Sequence, residues 1–183
     1  MEFLRKTIWE RRFLRLALAC VFLGSFSAAG QQTESQVKAA YLYNFTRFVE
    51  WPNRPAVDEK NPVVIAVASE TSFTDALRKL MQNQFLGGRP IEIKRLKDMP
   101  APQHPHILFI PASSSDQVPY LLEKFRGSDT LTVGESESFT LSGGIIAMFV
   151  EDKKMRFSVN QKAAERAGLR MSSQMLKFAK LVE

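Results

Sequence analysis

Two successive strand patterns stand near the C-terminal end of the chain. Residues 145–150 are apolar at every position, which is typical of a strand that is buried on both faces. Residues 155–160 alternate between apolar and polar side chains, which predicts a half-buried strand. The charged residues 151–154 between them indicate a turn, so the two strands form a β-hairpin. We expect the apolar strand to be central in its sheet and the alternating strand to lie nearer an edge.

Two helices are predicted after the hairpin. Asn160 suits the N-cap of the first helix, because its side-chain oxygen can accept hydrogen bonds from the free amides of the first turn. Gly168 ends that helix, because glycine adopts the left-handed conformation without a steric penalty. Ser172 is the predicted cap of the second helix, whose apolar residues follow the spacing i, i+3, i+4, i+7. They are Met175, Phe178, Ala179 and Val182.

The N-terminal part predicts a long amphipathic helix that runs from a cap at Ser35 to about Glu50. Trp51 ends it, because a residue before proline is disfavoured in the helical conformation. We interpret the aromatic residues of its apolar stripe as core, with a ligand or partner surface as the alternative. The stripe has the helical period and consists of Val37, Ala40, Tyr41, Asn44, Phe45, Phe48 and Val49.

The middle of the chain contains four further strand patterns. The short apolar runs 63–67, 106–110 and 131–133 predict buried strands, and the alternating residues 90–96 predict a strand nearer an edge. Strands that alternate with helices are typical of an α/β fold. We therefore predict a single-domain layered α/β sandwich with a mixed, largely parallel sheet and a C-terminal β-hairpin followed by two helices.

Two helical patterns lie between these strands. The first is capped at Thr71 or Ser72, and we expect Gly87 and Gly88 to break it. The second begins near Val118 and ends at residue 127, which is again a glycine. The predicted inner face of the first helix carries Phe73, Ala76, Leu77, Leu80 and Met81.

Small polar and acidic side chains follow three of the predicted parallel strands. In open α/β sheets, ligands bind beyond the carboxyl ends of the strands. The residues at these ends are therefore the candidate ligand-binding residues. They are Ser69, Glu70, Ser113, Ser114, Glu135 and Ser136.

The first residues have the features of a secretory signal peptide. Five basic residues lie within positions 1–15, and a largely apolar run of eleven residues follows at 16–26. This run is shorter than the roughly 20 residues of a membrane-spanning helix, although an uncleaved anchor is the alternative. We expect cleavage after Ala29 or Gly30 and location in the periplasm. The predicted organisation is a signal peptide in residues 1–29, a flexible mature N-terminus in residues 30–36 and an α/β domain in residues 37–183.

Charge and cysteine content narrow the class of protein. Five of the 25 Lys and Arg residues and two of the 19 Asp and Glu residues lie in positions 1–29, which leaves 20 basic against 17 acidic residues. A net charge near +3 without a basic run does not indicate nucleic-acid binding. The only cysteine is Cys20, inside the predicted signal, so we predict no disulfide in the mature chain.

Patterns for catalysis and metal binding are weak. The candidate bases are His104 and His106, and no nucleophile motif accompanies them. No carboxylate or cysteine stands at a familiar ligand spacing from them, so we predict no metal site, no cofactor and no catalytic residue. Arg156 lies on the polar side of its strand, where we expect a salt bridge to a neighbouring strand or, alternatively, a contact with an anion or a partner.

A partner surface is harder to place from the sequence. Exposed apolar residues mark such surfaces, and Trp51, Phe85 and Phe139 lie at the ends of predicted elements. These three aromatic residues, with Arg156, are the candidate partner contacts. A homodimer is plausible, but nothing in the sequence indicates it.

Several blocks of the sequence resemble the YfiR family of periplasmic proteins. They are VKAAYLYNFTRFVEWP at 37–52, HILFIPAS at 106–113, LTVGESESF at 131–139 and the segment from Gly143 onward. Their order and spacing agree over essentially the whole mature chain. Several YfiR-like proteins carry cysteines, one of them where this chain has Pro105, so redox control is not carried over.

The resemblance implies a regulator rather than an enzyme. It implies a protein that restrains an inner-membrane diguanylate cyclase by binding the periplasmic sensory domain of that partner, and that thereby acts in cyclic-di-GMP signalling and biofilm control. From the residues alone, a periplasmic small-molecule binding module that uses the strand-end loops is the alternative.

Overall fold

The structure, a computed structural model, describes residues 33–54, 61–100 and 103–182. The predicted signal peptide, residues 1–29, lies outside the described residues, as do the first three positions of the predicted flexible segment. The elements follow one another as α1 (Glu34–Phe48), β1 (Val49–Glu50), β2 (Val63–Val67), α2 (Ser72–Met81), β3 (Phe85–Leu86), β4 (Arg89–Arg95), a 3₁₀ turn (Leu96–Asp98), β5 (Ile107–Ile110), a second 3₁₀ segment (Ala112–Gln117), α3 (Val118–Lys124), β6 (Leu131–Gly134), α4 (Ser138–Leu141), β7 (Ile146–Glu151), β8 (Lys154–Asn160), α5 (Gln161–Arg166), β9 (Arg170–Met171), α6 (Ser173–Leu176) and β10 (Lys180–Val182).

Eight strands form one sheet in the order β10-β8-β7-β6-β5-β2-β4-β3. The pairs β8 with β7 and β4 with β3 are antiparallel, and the other five neighbouring pairs are parallel. A separate antiparallel pair joins β1 to β9. The prediction of a single α/β domain with a mixed, largely parallel sheet is confirmed.

Helices cover both faces of the central strands. Ile107 and Phe109 of β5 belong to the larger apolar cluster, which also holds residues of α1 and α2. Leu108 and Ile110 belong to a second cluster with Leu121 of α3. All four side chains of β5 are buried. Neighbouring side chains of a strand point to opposite faces, which explains why the run carries no polar position.

The β7–β8 hairpin is present with a shorter turn than predicted. The register pairs Glu151 with Lys154, so only Asp152 and Lys153 form the turn. Both have positive φ, 49° and 60° respectively. A two-residue turn with this backbone matches the right-handed twist of the strands, and the outer two charged residues therefore belong to the strands themselves.

The polar side of β8 is exposed at Arg156 but buried at Ser158 and Asn160. Ser158 Oγ lies 3.1 Å from Thr140 Oγ1, and Asn160 Nδ2 donates to Thr140 O at 3.0 Å. Asn160 Oδ1 accepts from Ala163 N–H at 2.8 Å, which confirms the predicted N-cap. The prediction of a half-buried strand is wrong here, because hydrogen bonds to α4 satisfy the polar groups that burial removes from water.

Helix α1 begins earlier than predicted and buries a different face. Thr33 Oγ1 accepts from Gln36 N–H at 3.3 Å, and Gln36 Oε1 accepts from Thr33 N–H at 2.9 Å. This capping box makes Thr33 the N-cap instead of Ser35, so residues 34–36 are helical and not part of a flexible terminus. The residues that the helix buries are Ala39, Leu42, Phe45 and Thr46.

Two further boundaries differ from the prediction. Helix α2 ends at Met81, and Gly87 and Gly88 form the turn between β3 and β4, both with positive φ. The glycines therefore serve a hairpin and not the end of the helix. Helix α6 likewise ends at Leu176, because the last residues turn and pair with β8 as the parallel strand β10. This pairing leaves Phe178, predicted as an inward helix position, 78% exposed.

Candidate functional site

The carboxyl ends of β2 and β5 meet at the point where the strand order reverses. From β2 the chain crosses by α2 to β4 on one side, whereas from β5 it crosses by α3 to β6 on the other. Ser69 Oγ lies 2.7 Å from Ser114 Oγ and 3.2 Å from Ser113 Oγ. The structure thus brings these three candidate ligand residues together at a topological switch point, where ligands of such sheets bind.

Glu135 joins this group through the main chain of the same loop. Its Oε2 accepts from Ala112 N–H at 2.8 Å, and its Oε1 forms an ion pair with Lys38 Nζ at 2.8 Å. Lys38 also contacts Glu34 at 2.6 Å. Partial burial lowers the pKa of Lys38, but the hydrogen bonds to Glu135 and Glu34 outweigh it and raise that pKa above its ordinary value. Helix α1 is thereby tied to the strand-end loops.

The other two ligand candidates lie at the margin of this group. Arg78 donates to both carboxylate oxygens of Glu70, at 2.6 and 2.9 Å. These bonds engage the carboxylate of Glu70 and lower its pKa. Ser136 Oγ lies 3.0 Å from Ser138 Oγ on the exposed surface. Hydroxyl groups, rather than free charges, are therefore what the switch point presents.

The two histidines of the sequence lie at the opposite end of the sheet. His104 and His106 precede β5, so the serines at the carboxyl ends have no imidazole beside them. An activated serine needs a base within hydrogen-bond reach. Ser69, Ser113 and Ser114 therefore do not form a serine–histidine pair with either imidazole.

His106 is buried close to the side chains of Arg54 and Arg89. Its Nδ1 lies 3.1 Å from Val64 N–H and its Nε2 lies 3.0 Å from Arg89 Nη2, both of which are donors. A neutral imidazole accepts a hydrogen bond at one of its two nitrogens. A protonated ring carries an N–H group on both nitrogens, and both groups would then point at other donors. Burial, followed by the charges of Arg54 and Arg89, lowers the pKa of His106 to about 3. His106 is thus a structural, neutral histidine.

Phe139, one of the candidate partner residues, is buried and not a surface residue. It is 2% exposed. A Cβ built on Gly134 would stand 2.4 Å from its ring, and one built on Gly144 would stand 2.1 Å from it. The ring is therefore held between two glycines, and the prediction of a partner contact at Phe139 is wrong. Its place in a helix, α4, packed on the sheet accounts for the burial.

The remaining partner candidates lie apart from one another. Trp51 is half-buried, and its ring is edge-on to the ring of His106, with the two ring centroids 5.8 Å apart. Phe85 is 59% exposed on β3, near the opposite edge of the sheet from β8. Arg156 Nε lies 3.9 Å from Glu151 Oε2, the salt bridge to a neighbouring strand that was one of its two interpretations. Both members of that pair are exposed, so it contributes little stability.

A groove lies between α1, β8 and the region of α6, on the aromatic stripe of α1 for which a ligand or partner surface was the alternative interpretation. It has a volume of about 780 Å³, and we call it the aromatic groove. The rings of Tyr41, Phe45 and Phe157 in it have centroids 5.4 to 6.3 Å apart. The available signal was the predicted stripe of α1, four of whose members line the groove. Its lining residues are Tyr41, Asn44, Phe45, Phe48, Met155, Arg156, Phe157, Gln174, Met175, Lys177 and Phe178.

The described residues contain neither a cluster of metal-ligating side chains nor a membrane-spanning helix. Over residues 33–54, 61–100 and 103–182, no three or more His, Cys, Asp and Glu side chains come together as a metal ion would require. Within the same ranges, none of the helices combines the length and the apolar character needed to cross a bilayer.

Comparison with solved structures identifies the fold. A conserved domain protein from Vibrio cholerae O1 biovar El Tor strain N16961 aligns with a TM-score of 0.53 and 11% sequence identity, covering 84% of this chain and 61% of that one. The chain thus spans less than two thirds of that protein. The ABC domain from Streptococcus pneumonia in complex with L-Trp aligns with a TM-score of 0.49 and 11% identity, covering 68% of this chain and 55% of that one.

Comparison by sequence identifies the family. No curated protein matches the chain. The model of the YfiR/HmsC-like family matches residues 35–180, which include every strand and helix described above except the ends of α1 and β10. Because this match extends over most of the chain, the protein belongs to the YfiR/HmsC-like family.

Proposed function

We propose that this protein is a periplasmic regulator that binds the periplasmic sensory domain of an inner-membrane diguanylate cyclase and holds that cyclase in its inactive state. The observation that carries this proposal is the family match over residues 35–180. The signal-peptide pattern of residues 1–29 supports the periplasmic location. The separation of the serines from both histidines supports a binding function over hydrolysis.

The physical requirement for such a regulator is differential affinity. A protein that binds the inactive state of a cyclase more tightly than the active state shifts the equilibrium toward the inactive state. A coupling free energy of about 1–3 kcal/mol already changes the population ratio by about 5–150-fold. No bond has to be made or broken, so a rigid sheet with a suitable surface is sufficient.

Deletion of the gene in its native host tests this proposal. We expect cellular cyclic-di-GMP and biofilm formation to rise, because the cyclase loses the partner that stabilises its inactive state. A plasmid copy with the signal segment should restore both values, whereas a copy without residues 1–29 should not. If deletion changes neither quantity in a host whose membrane cyclase is active, the proposal is wrong.

A second function is favoured by the serine group at the switch point. We propose it as the alternative: a sensor that binds a small polar molecule at Ser69, Ser113 and Ser114, beside Glu135. A thermal-shift screen of the mature chain against nucleotides and amino acids tests it. A ligand at 100 times its dissociation constant should add about 2.7 kcal/mol of stability, and replacement of Ser69 by alanine should reduce that gain.

A further inference from the structure

The aromatic groove is an apolar surface that the described part of the chain leaves uncovered. Phe178 at its border is 78% exposed, although burial of such a large apolar side chain would stabilise the protein. Helix α6 stops two residues earlier, and the chain continues as β10 on the other side of Phe178. The described residues therefore give the ring of Phe178 little cover, and contiguous exposed apolar surface of this kind marks an interaction site.

One wall of the groove also offers main-chain groups. Strand β10 pairs only with Ser158–Asn160, so within the described residues Lys154–Phe157 of β8 has no strand partner on that side. Tyr41 Oη reaches this edge and donates to Met155 O at 3.2 Å. Met155 O is thus engaged, and an extended segment lying in the groove can bond to the remaining main-chain groups of this edge while its side chains fill the apolar space.

The charges around the groove select the kind of occupant. Among the described residues that line the groove, Arg156, Lys177 and Tyr41 are the ionisable ones, and none is Asp or Glu. The ion pair that Arg156 makes with Glu151 is exposed and long, at 3.9 Å, so it offsets little of this charge. Two copies that met through this same surface would bring like charges together, which costs affinity. A carboxylate-bearing partner complements it.

We propose that the aromatic groove docks an extended segment of the membrane partner that carries an apolar anchor side chain and at least one neighbouring carboxylate. This inference rests on the proposed function and adds to it the place of contact and the chemistry of the segment. The apolar anchor packs on Phe178 and the aromatic rings of the groove. The carboxylate lies at the Lys177 side, which fixes the orientation of the segment.

Site-specific crosslinking in the native host tests the place of contact. Phe178 is replaced by the photoreactive residue p-benzoylphenylalanine in the full chain, and Leu141, which is 74% exposed on α4, receives the same replacement as the control. We expect position 178 and not position 141 to crosslink to an inner-membrane protein, with the adduct in a segment that contains an apolar residue and Asp or Glu. An adduct to a second copy of this chain, an adduct in a segment without a carboxylate, or no adduct at position 178 would overturn the inference.

Complementation of the deletion strain separates this inference from the proposed function. We expect Phe178→Ser and Lys177→Glu to lose the ability to lower cyclic-di-GMP, and the matched controls Leu141→Ser and Lys97→Glu to retain it. Purified Phe178→Ser should have the same midpoint of urea unfolding as the wild type, because the change lies on the surface. If the wild-type gene restores low cyclic-di-GMP and both groove variants do so equally well, the inference fails and the proposed function stands. If the wild-type gene itself has no effect, the proposed function fails first.

Discussion

Phe139 shows how single residues decide the packing on one face of the sheet. Its ring lies between Gly134, at the end of β6, and Gly144, just before β7. Both glycines provide space rather than special backbone angles, since φ is positive at neither of them. The neighbouring Gly143, in contrast, has a φ of 98° and open space around its Cβ position. Adjacent glycines thus serve two different physical purposes.

Replacement of Gly144 by alanine tests this packing. The added methyl group would overlap the ring of Phe139, so we expect a loss of about 1–3 kcal/mol in the free energy of unfolding. In a Phe139→Leu background the same replacement should cost less by at least about 0.5 kcal/mol, because the two residues are in contact. Gly143→Ala is the control. Its loss in the free energy of unfolding comes from the backbone conformation and should be the same with Phe or Leu at position 139. Equal costs of Gly144→Ala in both backgrounds would refute the contact.

The buried ring of His106 makes stability depend on pH. Its pKa is about 3 in the folded protein against about 6.5 in an unfolded chain, so the unfolded state binds more protons between these values. The free energy of unfolding therefore falls as the pH falls from about 6.5 toward 3, by up to about 1.4 kcal/mol per pH unit from this residue. The proton resonance of the His106 ring should stay constant from pH 8 to pH 5. A midpoint near 6.5 in the folded protein would contradict this account.

The sequence predicts single residues well where one local interaction determines them. The cap at Asn160 and the left-handed Gly168, with a φ of 68°, follow from short-range chemistry and were predicted. The burial of Phe139 was not, because it depends on Gly134 at the end of β6 and on Gly144 in the segment before β7, which both approach the ring. The switch-point serines were predicted from topology, since the ends of neighbouring parallel strands must meet.

Helix α1 contacts both the strand-end loops and the aromatic groove. One side packs on the sheet through Leu42 and Phe45, and another side lines the aromatic groove through Tyr41 and Phe48. Lys38 near its start contacts Glu135 of the strand-end loops. Apolar residues lie on several sides of this helix, so the helical period alone does not show which side faces the core. The residues that the helix buries therefore differ from the predicted stripe.

The N-cap of α1 gives a test at the level of this element. Thr33→Ala removes the acceptor for Gln36 N–H, and we expect it to lower the free energy of unfolding by about 0.5–2 kcal/mol. Ser35→Ala should have no such cost, because alanine has the higher helix propensity within a helix. Urea unfolding of both variants measures the difference. A larger loss for Ser35→Ala than for Thr33→Ala would favour the cap predicted from the sequence.

The C-terminal segment shows why periodicity alone does not predict where a helix or strand begins and ends. The spacing of Met175, Phe178 and Val182 suits a helix, yet residues 180–182 form β10. The open main-chain groups of β8 provide hydrogen-bond partners that a local pattern does not contain. Lys180 also forms an ion pair with Glu137, which again joins distant parts of the sequence. Pairing in the tertiary structure thus overrides local propensity.

At the scale of the whole molecule, the fold separates three regions with different chemistry. The carboxyl ends of the strands carry hydroxyl groups, the amino ends carry a buried histidine among arginines, and the β8 edge carries the aromatic groove. The order of buried strands predicted the sheet and the first of these regions. The groove could not be predicted, because it arises where α1, β8 and the C-terminal segment come together from residues more than 100 positions apart.

The most direct test of the account adds purified residues 30–183, which lack the predicted signal peptide, to spheroplasts of the deletion strain, in which the periplasmic face of the inner membrane is accessible. Intracellular cyclic-di-GMP is then measured against the concentration of added protein. The account predicts a saturable fall in cyclic-di-GMP with the wild-type chain and with Leu141→Ser, and little or no fall with Phe178→Ser. An unchanged level with folded wild-type protein, in spheroplasts whose cyclase is active, would contradict the claim that this chain regulates a membrane cyclase by binding it from the periplasmic side.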